Sequence, residues 1–438
     1  MKVFEDTAQV LGGTPVDACT ASAVTALLSR LEFEPLAGND RHLAALFAAA
    51  ARMSRIFELR SHPAPGLACI GGTADPTSYG VRLAGYPSTD VSGRGSTMAQ
   101  AFRSCVGEAI EYLSLLAWGD ESVVEVSRGA CFGGMRGETA ATMEGLLASA
   151  GLGSADRLAA VRMRSIIGGR EAFLPAALSH RSCEPPASNL VSRTGCAAGP
   201  TIEHASLSAL LELIERDAAA LWWLGGRQPH AVSAEVVASK TVTDLTIKLR
   251  AGGTERRSSL LDITTDLGVP CVAAVSTNRE GRDFACGLAA RASLEAAASS
   301  ALLEMCQMEL ANHLVHEKLK AGGVDALTPA DRRHKLRFDS IVPEACGSLF
   351  AALPPVACDL PHQMDVSGEL EWVAGKLEDR LVECFALDLT RPEIGVPCAR
   401  AFAPALQPLQ PASQSQRLAR TILETGGGSP YAVGIPLL

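Results

Sequence analysis

Three stretches of this 438-residue chain repeat one helical template, Ala-x2-Ser-x3-Glu-x2-Glu/Gln, that sets two oxygen-bearing side chains a turn apart. The copies are Ala101, Ser104, Glu108, Glu111; then Ala205, Ser208, Glu212, Glu215; then Ala297, Ser300, Glu304, Gln307. Because roughly 3.6 residues complete a helical turn, the positions of each copy share a stripe, small residues first and oxygen ligands after them. A Glu pair at this spacing is commonplace on a solvated helix. Here the flanks are apolar: Ala209, Leu210, Leu211, Leu213 and Ile214 surround Glu212 and Glu215, and Ala301, Leu302, Leu303 and Met305 surround Glu304. A carboxylate among apolar residues needs a cation or a hydrogen-bond donor. With Glu108, Glu111, Glu212, Glu215 and Glu304 available, and no rival cluster of His or Cys, the hard oxygen set fits Mg2+. That ion takes one or two carboxylates and leaves its other positions to water and phosphate oxygens. The chemistry expected of the stripe is a metal–nucleotide site.

The elements that must position these residues show a second regularity. Gly95 precedes Glu108 by the interval at which Gly199 precedes Glu212, and each closes a segment rich in Gly, Ser or Thr, at 92–97 and 194–199. These segments read as loops that allow close backbone approach to a ligand and offer N–H groups at helix N-termini to phosphate or ribose. The template helices are expected over about 97–118, 201–224 and 293–321, with further helices at 18–58, 139–151, 241–251 and 367–385. A strand–turn–strand echo runs from Leu261 to Cys271 and again from Leu387 to Cys398, each ending Gly-Val-Pro-Cys. Segment 322–362, with Gly322, Gly323, Pro354 and Pro355, reads as a loop or insertion. The expectation is an α/β protein: one large domain over 61–438, of mixed sheets and helices with repeated helix-plus-strand units, and residues 1–60 as a helical appendage or part of the main fold.

Composition narrows the class. With 47% apolar and 20% charged residues and a net charge of -9, the chain can bury a large core, and its acidic surface argues against nucleic acid. No apolar run is long enough to span a bilayer, and the N-terminus lacks the apolar core of a secretion signal. The thirteen Cys contain no Cys-x2-Cys pair and read as reduced core residues of a cytoplasmic protein.

The second copy in context, Thr194 through Gly199 and on to Glu212, Glu215, Arg216 and Asp217, resembles the signature segment of the YcaO family. The first copy, from Ser92 to Glu111, is similar to that family's other glutamate helix, and the third, ending at Gln307, to its later Glu/Gln helix. The resemblance implies ATP-dependent activation of peptide backbone amides: the amide oxygen is phosphorylated so that a neighbouring side chain or external sulfide can replace it, giving azolines, thioamides or amidines. It implies Glu108, Glu111, Glu212, Glu215 and Glu304 as Mg2+ ligands. Ser92, Arg94, Gly95, Arg193, Thr194, Gly195, Gly199, Arg216 and Gln307 would meet ATP, and no single catalytic side chain is assigned.

Several positions depart from the family pattern. Arg193-Thr194-Gly195 stands where many members have Ser-Asn-Gly, and Tyr112 where the first helix often has Arg. The run 431–438 lacks the Pro-x-Pro-x-Pro tail of azoline-forming members, while runs 305–311 and 389–397 look like members that form thioamides beside a TfuA-type partner. The resemblance therefore implies a peptide or protein substrate, captured with a TfuA-like partner or a separate recognition protein, since no independent recognition module is read before Ser92. Azoline formation and a non-catalytic nucleotide-binding accessory role are the alternatives, and a homodimer is compatible with each.

Other residues carry a plainer expectation. Arg55, Arg291 and Arg400 read as structural or surface arginines, Trp222 and Trp223 as core, and Cys196 as an apolar filler. His180, His204 and His230 show no ligand spacing, and His313 and His316 are expected in solvent. Arg216 reads equally as a phosphate contact or as a surface ion pair with Asp217 or a neighbour.

Overall fold

Thr97 and Ser293 open two of the template helices: their side chains accept hydrogen bonds from the backbone N–H groups of Gln100 and Ala296, satisfying donors that a helix start leaves unpaired. In the computed structural model these helices run Met98–Leu115 and Leu294–Gly322, and the middle one Ile202–Trp223. The structure describes residues 1–33, 40–149, 151–182, 191–253, 255–341, 346–356, 364–409, 414–428 and 437. The chain groups into two compact units. The first comprises Met1–Leu59, Cys69–Leu210 and Met364–Ala405, and the second Arg60–Ala68, Leu211–Gln363 and Leu406–Leu438. The boundary falls within the Ile202–Trp223 helix.

In the first unit, helices Lys2–Leu11, Ala18–Arg30 and Arg41–Ala51 form an N-terminal layer. Its Phe4, Phe33 and Phe47 meet Phe102 of the first glutamate helix, with ring centroids 4.7 to 6.0 Å apart, a separation at which aromatic pairs add to simple burial. A three-stranded sheet follows in the order Arg55–Leu59, Ala68–Ala74, Thr89–Gly95. A six-stranded sheet has the order Val123–Ser127, Arg157–Ser165, Phe385–Asp388, Cys398–Phe402, Cys196–Ala198, with Glu171–Pro175 paired to Arg157–Ser165. Its core joins Phe385, Leu387 and Cys398 to Leu158, Val161, Met163 and Leu174.

The second unit holds a four-stranded antiparallel sheet in the order Ala285–Ala290, Cys271–Thr277, Arg257–Asp262, His230–Ala231. Every residue of its two strands nearest the third glutamate helix is buried, so these strands read as unbroken apolar runs rather than as an alternation.

The echo seen in the sequence is one hairpin built twice, once in each unit. Asp262 Oδ1 accepts the Thr264 N–H at 2.9 Å and the Thr264 hydroxyl accepts the Cys271 N–H at 3.0 Å. Asp388, Thr390 and Cys398 repeat this at 2.8 and 3.2 Å. Gly268 and Gly395 occupy the same left-handed conformation, φ 70° and 73°, which favours glycine.

Two expectations are corrected. Residues 55–59 form a strand; the helix stops at Ala51, and Arg55–Leu59 carries the bulky and β-branched residues that suit a pleated surface. Segment 322–362 is only partly loop. Pro329–Ser340 is a helix with a capping box between Thr328 and Asp331 and Pro at its first turn. Phe338 packs it on Val315 and Leu327. The glycines and charges of this stretch masked its capping signal. Residues 342–345 and 357–363 of it, and 431–436 and 438 of the tail, lie outside the described residues. Of the described cysteines, all but Cys19 are buried and none is in a disulfide.

Glycine sets how closely strand and helix approach. A Cβ on Gly93 would lie 2.1 Å from both the Ala101 carbonyl oxygen and the Cys105 nitrogen, whereas one on Gly107 would meet nothing within 4 Å. Gly93→Ala is therefore expected to cost about 3 kcal/mol or more, and Gly107→Ala to stabilise by roughly 0.5–1 kcal/mol. Urea unfolding of the two variants checks both signs; equal midpoints would show that the strand is not pressed on the helix.

Candidate functional site

In the first unit the Met98–Leu115 helix is flanked by strands whose N–H groups reach its carboxylates. Ser92 N–H donates to Glu108 Oε2 at 3.0 Å, and Ala198 N–H donates to Glu111 Oε1 at 3.0 Å. Glu108 Oε1 accepts from the Arg193 guanidinium at 3.1 Å. Arg193 lies over the Tyr112 ring, 5.6 Å from its centroid, and the Tyr112 hydroxyl donates to the Pro87 carbonyl. Gly95 and Gly199 are equivalent in space as well as in spacing. A Cβ on either would stand 2.9 Å from a template-alanine nitrogen, Ala101 or Ala205.

The second unit holds the other acidic residues. Arg216 lies between the two glutamates of its own helix, 3.5 Å from Glu212 and 3.3 Å from Glu215. Glu304 Oε2 accepts the Leu288 N–H at 3.2 Å. The donor and acceptor are 16 residues apart, the separation found between Ser92 and Glu108. A strand followed by a helix thus builds the same carboxylate anchor twice. Gln307 is buried one turn beyond Glu304.

Burial pushes the Glu215 carboxyl up from an ordinary 4.5 to about 7; Arg216 pulls it down, the like charges of Glu304 and Glu212 push it further up, and Arg291 opposes them. Burial would lower Arg216, but Glu215, Glu212 and Glu304 outweigh that and push it up. This is carboxylate excess held in check by arginine, the environment a divalent cation would relieve. Glu108, Glu111 and Glu304 each spend one carboxylate oxygen on a backbone N–H, which fixes the direction of the other. Among the described residues no three His, Cys, Asp or Glu side chains converge as a ready-made cage. Carboxylate oxygens are the donor type that Mg2+ takes, one or two at a time, with phosphate and water completing its shell.

The structure joins Ser92, Glu108, Glu111, Arg193 and the 195–199 segment in one unit, and Glu212, Glu215, Arg216 and Glu304 in the other. The structure changes one expectation and specifies two others. The segment through Ser92 and Arg94 is a strand, Thr89–Gly95, and the Ser92 N–H serves Glu108. Gly195 is a turn residue, φ 79°, whose carbonyl accepts the Ala401 N–H, while Thr194 N–H donates to Ser192 Oγ. Arg216 does not pair with Asp217; that buried carboxylate accepts from Arg417 and the Gln407 N–H.

Among the other residues, Arg400 is buried and donates to the Leu178 and Ser179 carbonyls, and Arg55 pairs with Asp90. Trp222 donates to the Ser348 carbonyl inside the core. Cys196 packs against Cys398 with sulfurs 3.8 Å apart. His313 and His316 are half-buried against His62 and Phe338 rather than in solvent. Sequence reading missed the seating of Arg193 on Tyr112. The available signal was the template itself, which has Arg after the second glutamate in one helix and Tyr in the other.

Residues 92–407 match the family model described as YcaO cyclodehydratase, ATP- and Mg2+-binding. A heterocyclase solved in complex with substrate and cofactor shares the fold at TM-score 0.64 and 21% identity, over 85% of this chain and 52% of that one. This chain thus spans about half of that protein. YcaO from Methanopyrus kandleri, solved with AMPPCP and Mg2+, aligns at TM-score 0.56 and 18% identity over 83% of this chain and 90% of its own. A protein from the tfuA 3′ region of Rhizobium leguminosarum bv. trifolii is 34% identical over 116 residues, 25% of this chain and 27% of its own.

The raised Glu215 carboxyl has a consequence for the metal-free protein. Its proton is held more tightly folded than unfolded, so its contribution to stability is complete below pH 4.5 and is lost as pH rises to about 7. Glu215→Gln should abolish that decline and make the metal-free variant more stable than the parent at pH 8, by on the order of 1 kcal/mol. Thermal unfolding in chelator at pH 5 and pH 8 checks it. A variant less stable than the parent at both pH values would contradict the unrelieved charge assigned to this carboxylate.

Proposed function

The chain belongs to the YcaO family of ATP- and Mg2+-dependent enzymes that modify peptide backbones, and from that premise we propose that it phosphorylates a backbone amide oxygen and passes the activated amide to sulfide beside a TfuA-like partner. The observation that carries the reading is the set of glutamates on apolar helices, each held by a strand N–H or an arginine. Such carboxylates are organised for a cation rather than for solvent. The thioamide assignment draws support from the relative in the tfuA 3′ region and from the runs at 305–311 and 389–397.

An amide oxygen is a poor leaving group, and phosphorylation makes it a good one. ATP would supply the phosphoryl group and Mg2+ would neutralise its charge. Positioning and charge balance are then what the protein contributes. Glu108 and Glu111 in the first unit, and Glu212, Glu215 and Glu304 in the second, would serve as metal ligands, Arg216 and Arg193 would meet phosphate oxygens, and Gln307 would orient by hydrogen bonding. Ser92 and Ala198 fix the glutamates through their N–H groups, and Gly95, Gly195 and Gly199 set the strand-to-helix geometry. As the amide oxygen bonds to phosphorus, ADP leaves; sulfide then attacks the amide carbon, the C–O bond breaks, and phosphate departs with the oxygen. Heterocycle formation is the second reading, favoured by the likeness to the heterocyclase fold.

Peptide-dependent phosphate release tests the site. Glu108→Gln and Glu212→Gln should each lower it by about 100-fold or more, while Glu144→Gln, on an exposed helix face, should not. Product mass tests the chemistry in the presence of a TfuA-like partner and sulfide. A product heavier by the difference between sulfur and oxygen supports thioamidation; one lighter by a water replaces it with heterocyclisation. Nucleotide binding with no peptide-dependent turnover under any of these conditions would make the chain an accessory protein.

A further inference from the structure

In the repeated template the residue after the last acidic or amide position is Tyr112 in the first helix, Arg216 in the second and Met308 in the third. Arg216 reaches both carboxylates of its own helix. The first helix has no arginine at that place, yet its Glu108 also has a guanidinium, 3.1 Å away, delivered from another segment by Arg193. Tyr112 is its seat: the ring lies under the guanidinium and is fixed through its hydroxyl to the Pro87 carbonyl. Arg193 and Tyr112 are therefore one structural unit, in which the guanidinium comes from a neighbouring segment and the Tyr112 ring supports it.

We infer that Arg193 is a phosphate-recognising residue that holds Glu108 as a placeholder until Mg2+ takes the carboxylate. This rests on the glutamates being the Mg2+–ATP site. Glu108 gives one oxygen to the Ser92 N–H and the other to Arg193, so a cation that takes the second oxygen displaces the guanidinium. Both side chains of the pair are 36% exposed, and an ion pair at that exposure is weak enough to exchange readily. The displaced guanidinium keeps its stacking on Tyr112, which limits how far it moves. Its planar fork suits two phosphate oxygens as well as it suited the carboxylate. Arg216, more buried and shared between two glutamates, is the less exchangeable of the two.

Two calorimetric titrations of the purified full chain separate the roles: Mg2+ alone, and a non-hydrolysable ATP analogue at saturating Mg2+. Arg193→Met keeps an apolar stem on Tyr112 but removes the charge. It should weaken analogue binding about tenfold or more and tighten binding of Mg2+ alone. Arg193→Lys, which keeps charge without the fork, should recover part of the analogue affinity and guards against a folding artefact. If Arg193→Met binds the analogue as the parent does while Glu212→Gln loses it, Arg193 is a structural clamp and the inference falls with the site reading intact. Weaker binding of Mg2+ alone to Arg193→Met would overturn the placeholder role. Unchanged analogue binding by both Arg193→Met and Glu212→Gln would overturn the site reading itself.

Discussion

Carboxylates on apolar helices are the constraint around which this protein is built. An ionised Glu in such surroundings is costly unless donors or cations compensate it, and the chain answers with the same two devices in both units. One is a backbone N–H from the strand that precedes the helix or lies beside it, at Ser92, Ala198 and Leu288. The other is an arginine, Arg193 or Arg216. At Glu108 the two devices act together, Ser92 on one carboxylate oxygen and Arg193 on the other, so both orient the carboxylate. The cost survives at Glu215, where burial still holds the carboxyl near neutral pH.

For a strand N–H to reach a helix side chain, the two backbones must come close, and that explains the small residues. A Cβ on Gly93 would collide with the helix backbone, and one on Gly287 would stand 2.2 Å from the Met305 nitrogen. Template alanines Ala101, Ala205 and Ala297 are fully buried, as expected of positions pressed against a neighbour. The glycines, the alanines and the glutamates are thus parts of one device. The small residues bring the strand in, and the strand supplies the donor.

Buried charge elsewhere serves registration rather than ligand binding. Glu309, fully buried on the third helix, is held by both terminal nitrogens of Arg250 at 2.6 and 2.8 Å and by Arg256 at 3.0 Å. Asp217, next to Arg216, is held by Arg417 of the Gln416–Thr425 helix, which also reaches Asp266. Breaking such a pair strands a charge in the interior, at a typical cost of about 3–5 kcal/mol, so each fixes its helix in one position. Each lies within five residues of a site glutamate, and a small rotation of either helix would misdirect the ligand oxygens.

The template, its apolar flanks and its repeated spacing were enough to place the three helices within a few residues, to mark Glu108, Glu111, Glu212, Glu215 and Glu304 as carboxylates on apolar helices, and to find the doubled hairpin. All of these are local patterns, set by helical periodicity and by turn chemistry such as the Asp262–Thr264–Cys271 bonds. Which donor meets which carboxylate was decided only by the fold. Arg193 is 85 residues from Glu108 and Ala198 is 87 from Glu111; no periodicity links such distant positions, because strand pairing and helix packing bring them together. The same holds for Arg216, whose neighbours in sequence are Glu215 and Asp217: only the packing of Arg417 against Asp217 leaves the guanidinium to the glutamates. Sequence alone determined where oxygen-bearing side chains recur on the helices, since that is a matter of helical spacing. Tertiary structure decided their partners and, at Glu215, the raised carboxyl, which depend on burial and on contacts between segments far apart in the chain.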